Sequence, residues 1–115
     1  MALSTSAKNT ALDALPLAYL SLHSDDPGDT GANEITGGTP ACVRKAVTFA
    51  AASGGARAQS TQPLFDVPAT TVKYVGIWTA ETSGTYLGSG DVTDEVFASQ
   101  GQYQVLTGNV DLNAA

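Results

Sequence analysis

The sequence predicts a mainly β fold: a small antiparallel β-sandwich or barrel with a short N-terminal helix and a long acidic Gly/Pro loop. Three observations point there. Short runs of alternating or β-branched residues recur along the chain, separated at close intervals by clusters of Gly, Pro, Asn and Asp. Helical spacing is confined to one stretch near the N-terminus. A length of 115 residues is enough to close one hydrophobic core but not two. The expectation is therefore one domain over residues 1–115, with a helical arm at 1–16 and a β domain at 17–115 that contains a loop at 23–42.

Residues 4–15 place Ala7, Ala11, Leu12, Ala14 and Leu15 at helical spacing, with Ser4 or Ser6 as cap and Pro16 as stop. Residues 17–22 read as a first strand with Tyr19 and Leu20 on opposite faces. From His23 to Pro40 large apolar groups almost vanish, and Asp25, Asp26, Asp29, Asn33 and Glu34 gather among glycines and prolines. Turn chemistry this dense specifies an ordered loop, and a loop of this length is commonly functional. Residues 43–49 alternate Val43, Lys45, Val47 and Phe49 against Arg44, Ala46 and Thr48, the pattern of a strand with one apolar face.

Residues 56–62 suit a polar strand, and residues 64–67, between Pro63 and Pro68, a brief edge strand. Residues 71–78 form the strongest strand, apolar on both faces and expected in the middle of the domain. Gly76 within it marks a close approach of a neighbouring backbone or a bulge. Residues 81–84 turn the chain and 85–89 return it as a hairpin. A connection anchored by Val92, Val96 and Phe97 follows, and residues 102–106 and 110–112 make a terminal hairpin about Gly108 and Asn109.

The net charge is -6, and Lys8, Arg44, Lys45, Arg57 and Lys73 are too dispersed to neutralise a row of phosphates, which argues against nucleic acid. Charged residues make up 14% of the chain, against roughly 25% in average soluble proteins. Thr, Ser and Gly take their place and suit contacts between subunits, so the composition favours an assembly component. Asp13 and Pro16 interrupt any signal-peptide pattern, no window has the apolar length of a membrane span, and neither export by the usual secretion route nor a membrane partner is expected.

Chemistry-bearing motifs are sparse. The loop acids offer oxygen ligands of the kind Ca²⁺ accepts, but at the wrong spacing for an EF-hand, and turn formation explains them equally well. His23 and Cys42 are the single histidine and cysteine, outside any zinc or nucleophile motif; a strand-end histidine and a small buried cysteine are the simpler reading. Asp94 and Glu95 are adjacent and so point apart on a strand, and Gly84, Gly88 and Gly90 form no phosphate loop. Phe49, Phe65, Tyr74, Trp78, Tyr86 and Phe97 belong to alternating segments and are assigned to the core. No cofactor, metal or catalytic residue is assigned, and the chain is not expected to be an enzyme. Arg44 and Lys45 follow the acidic loop directly and are expected to pair with its carboxylates within or between subunits. Asp25, Asp26, Asp29, Asn33, Glu34, Arg44 and Lys45 are thus the candidate subunit-interface residues.

The segments YLSLHSDDPGDTGANEITGG, VRKAVTFAAASGG and FDVPATTVKYVGIWTAETSGTYLGSGDVTDEVF resemble a family of small tailed-phage virion proteins. The matching features are Leu22 and His23, the loop from Asp26 to Glu34, the run from Arg44 to Phe49, the run from Val75 to Trp78, and the turn from Thr82 to Thr85. Where that family tends to carry an aromatic residue, two positions before its arginine, this chain has Cys42. The resemblance implies a non-enzymatic virion component, assembled in the host cytoplasm, of a kind commonly labelled tail-fibre or minor tail protein. A chain without shaft, coiled coil or repeat suits a compact subunit on a larger lattice, so the leading expectation is a capsid decoration or minor capsid protein that stabilises the shell. The alternative is a tail-fibre or tail-tip protein involved in host attachment. Expected partners are the major capsid protein or tail subunits, together with copies of the chain itself, a trimer being the first guess.

Overall fold

The computed structural model describes residues 3–106 and 112–113. Among these residues one helix, α1 (Thr5–Asp13), precedes eight strands: β1 (Tyr19–His23), β2 (Lys45–Ala46), β3 (Ala56–Arg57), β4 (Leu64–Val67), β5 (Thr71–Trp78), β6 (Tyr86–Val96), β7 (Gly101–Gln104) and β8 (Leu112–Asn113). All pairings are antiparallel. They build a four-stranded sheet in the order β2-β1-β5-β6 and two ribbons, β3-β8 and β4-β7. The fold is mainly β, as expected, but it is not a closed barrel. Among the described residues β6 pairs with β5 alone, and β2 is two residues long, so the sheet has two free edges and nothing joins them.

β5 runs through the middle of the large sheet, as its two-sided apolar sequence predicts. Val72, Val75 and Ile77 of β5 join Leu20 and Leu22 of β1, Phe65 and Val67 of β4, and Val105 in one buried cluster. Burying each such side chain contributes about 1.5–3 kcal/mol. Ser4 caps α1 by accepting from the Ala7 N–H at 3.1 Å. Only Leu12 of the helix is buried, and the stripe of Ala7, Ala11 and Leu15 faces outward. Polar ties hold α1 instead: Gly55 N donates to Asn9 Oδ1, Ala52 N to Asp13 Oδ1, and Arg57 to the Leu12 carbonyl.

Several elements differ from their sequence expectation, and partner availability explains them. The strand at 43–49 shrinks to β2 because the edge of β1 is taken. Beyond Leu20, that edge bridges to Glu34 through His23 and receives the Ile35 N–H at the Leu22 carbonyl. Val43, expected inside, is 47% exposed. The polar strand at 56–62 likewise reduces to β3, with Gln59 bridging Phe49. β6 instead outruns its expectation, absorbing the connection as far as Val96 through two register shifts against the shorter β5. Val92 is buried there, while Val96 is 74% exposed rather than an anchor. Among the described residues β7 pairs with β4 and β8 with β3 rather than with each other as a terminal hairpin. The turn expected at Gly108 and Asn109, and Val110 after it, lie outside the described residues.

Gly76 is the close approach, but to side chains rather than backbone. A Cβ there would stand 2.6 Å from both His23 Nε2 and Ser21 Oγ. Gly76→Ala is expected to lower stability by about 1–3 kcal/mol through overpacking. Gly88→Ala, with nothing within 4 Å of its added methyl, should leave the denaturation midpoint nearly unchanged. Equal midpoints for the two variants in urea would contradict the packing described.

Candidate functional site

Ser21 and His23 lie two apart on β1 and so share a face, which the register places against Gly76 of β5. The absent side chain leaves room for a buried polar chain. Trp78 Nε1 donates to Ser21 Oγ at 2.8 Å, Ser21 Oγ lies 2.6 Å from His23 Nε2, and His23 Nδ1 lies 2.7 Å from the Ala32 carbonyl. A carbonyl only accepts, so Nδ1 carries the proton, Nε2 accepts from the serine hydroxyl, and the imidazole is neutral. Burial holds the His23 pKa below its ordinary 6.5 and outweighs the bond to Ala32, which favours the charged form.

That chain ends in the loop that the sequence singles out. Asp26 Oδ1 accepts from Gly28 N, the Pro27 carbonyl accepts from Gly31 N and Ala32 N, and Asn33 Nδ2 donates to the Asp26 carbonyl. Gly31, at φ +75°, is required twice over, because a Cβ there would sit 2.5 Å from Cζ2 of Trp78. Tyr86 meets the same indole edge-on, with ring centroids 5.3 Å apart.

Arg44 covers Trp78. Its Cζ lies 3.5 Å from the indole centroid, its Nε and Nη2 bind both oxygens of Glu34 at 3.0 Å, and its Nη1 donates to the carbonyls of Ala80 and Ser83. A planar fork is needed for this, since a lysine could not engage the carboxylate bidentately while stacking. Glu34, Thr36, Cys42, Val43 and Arg44 on one side and Glu81, Thr82 and Ser83 of the β5–β6 turn on the other border an open cleft of about 310 Å³.

The candidate interface residues separate into two groups. Glu34 and Arg44 meet, and Asp26 and Asn33 brace the loop. Asp25 accepts from the Asp26 N–H. Asp29 is exposed, and Lys45 lies within ion-pair distance of no carboxylate among the described residues. Asp91 pushes the Tyr74 phenol pKa up, followed by burial and then Asp26, Asp25 and Asp94, so the loop and β6 share an acidic surface. Among the described residues no group of three or more His, Cys, Asp or Glu is placed to hold a metal ion. Burial pushes the Cys42 thiol up to about 11, and both ring nitrogens of His23 are engaged elsewhere, so these two form no nucleophilic pair. Sequence reading missed Ser21 and Gly31; the signal for Ser21 was a serine and histidine two apart on an otherwise apolar strand.

The family described as Podophage GP4 fiber I protein gp80 matches residues 2–113, a span that takes in the loop, Arg44 and Trp78. The chain belongs to that family. It is a phage fibre-type structural protein, its place is the virion, and its neighbours are other phage structural proteins. No curated protein matches it.

Two outcomes test the site. Arg44→Ala leaves the Glu34 carboxylate half-buried without its partner and uncovers Trp78, and is expected to cost about 2–4 kcal/mol in urea denaturation. Arg44→Lys should recover less than half of that. For His23, the unfolded chain takes up a proton near the ordinary value of 6.5 while the folded chain resists it. Its contribution is therefore complete above that pH and is lost as pH falls through the depressed folded value. Stability should begin to decline below about pH 6.5, and His23→Gln should flatten that part of the profile.

Proposed function

We propose that this chain is a non-enzymatic, fibre-associated subunit of a podophage tail that takes part in host attachment. The observation behind this is the family match over residues 2–113, which favours the fibre alternative over capsid decoration, the leading expectation from sequence. The site supports a structural role. Ser21 and His23 have the spacing of a nucleophile and base, but they are 1% and 0% exposed, and the serine oxygen already receives the Trp78 N–H. Cys42 stays a thiol at neutral pH. What the geometry does well is hold a loop rigid on the end of a sheet, which suits a surface meant to meet a neighbour without reordering. Self-association, with a trimer as the first expectation, accompanies this reading.

Antibody-gold labelling of intact particles tests it. Gold along the tail fibres, with the chain at the low copy number of a tail part, is the expected result. Gold spread over the heads at high copy number would restore capsid decoration and end the fibre reading.

A further inference from the structure

The cleft beside Arg44 has a definite chemical preference. Arg44 is the cation in its lining, but both oxygens of Glu34 neutralise it and the carbonyls of Ala80 and Ser83 occupy Nη1. Glu81, on the exposed turn opposite, adds a further carboxylate, so the lining carries one surplus negative charge on a chain whose net charge is -6. Anions are disfavoured there. Thr36, Thr82 and Val43, which is 47% exposed, are also among the lining residues, adding hydroxyl-bearing and apolar side chains to the charged ones. At about 310 Å³ the space lies at the small end of ligand-sized clefts, enough for one long side chain or one small ring.

We propose that this cleft receives a lysine side chain from a neighbouring virion protein, its methylene stem along Val43 and its ammonium at Glu81 and the outer edge of Glu34. Lysine fits because a compact cation on an apolar stem matches a lining of carboxylates, hydroxyls and an apolar side chain. Glu34, already held bidentately by Arg44, has no fork left for a second guanidinium, whereas a compact ammonium can share its outer lone pairs. Charge complementarity steers the partner in, and because Arg44 ties both walls together the cleft is formed before binding. The inference rests on the reading of the chain as a subunit held against other virion proteins.

Carbodiimide cross-linking of intact particles tests it, since that reagent joins a touching carboxylate and ammonium as an amide with loss of water. The expected product links Glu81 or Glu34 to a lysine of another virion protein, and the Glu81 link disappears from particles carrying Glu81→Gln. In solution, Nα-acetyl-lysine methylamide should shift the amide resonances of Thr36, Val43 and Thr82 saturably. Glu81→Gln should weaken that binding about fivefold, as expected for one exposed charge pair. Cross-links to virion partners through other carboxylates alone, or saturable binding of methyl glucoside in place of the lysine derivative, would overturn the cleft assignment and leave the fibre reading intact. A Glu81 link to a capsid lysine would do the reverse.

Discussion

The guanidinium of Arg44 ties together the side chains and carbonyls of three segments. It grips the loop through Glu34, the β5–β6 turn through two carbonyls, and the sheet through the face of Trp78. Each hydrogen bond is charge-assisted, and those to Glu34 and to the Ala80 carbonyl are partly shielded from water, which strengthens them relative to exposed counterparts. Remove the planar group and a half-buried carboxylate and two carbonyls lose their donor together. The shape of the cleft depends on this one side chain, which also helps to fix the loop.

Beneath it, the chain from Trp78 through Ser21 and His23 to Ala32 carries the loop's attachment into the interior. Polar groups at this depth are tolerated because each finds a partner, and their directionality fixes how the loop must sit. The loop in turn occupies the edge of β1 that would otherwise have extended β2. One choice of partner thus produces an ordered loop, a truncated strand, and a buried histidine whose protonation opposes folding.

Membership of a podophage fibre family changes the weight of these features more than their description. A loop braced internally at Asp26 and Asn33 and pinned to the sheet at Glu34 keeps its shape when free, so a contact made through it need not order it first. The sparse charge of the chain fits a protein whose surface is in part covered by others. Compactness alone does not distinguish a decoration subunit from a small fibre component, since both must present a rigid surface to a larger assembly, and on this point the sequence-based preference for the shell yields to the family.

The sequence alone settled what depends on neighbours along the chain. The Ser4 cap and helix α1, the central β5 with its two apolar faces, the Pro-bounded β4 and the turn closing β5 onto β6 are all set by local propensity and periodicity. It also marked Glu34 and Arg44, because acids followed closely by bases invite pairing. Tertiary structure decided whatever required competition between distant partners. That β1 takes Ile35 instead of more of β2, that β7 and β8 go to β4 and β3 instead of each other, and that Gly76 and Gly31 are glycines because of His23, Ser21 and Trp78 are facts of register and packing. Alternation states which residues share a face, but a strand's hydrogen-bonding edges look alike to many partners, and only the assembled core selects among them.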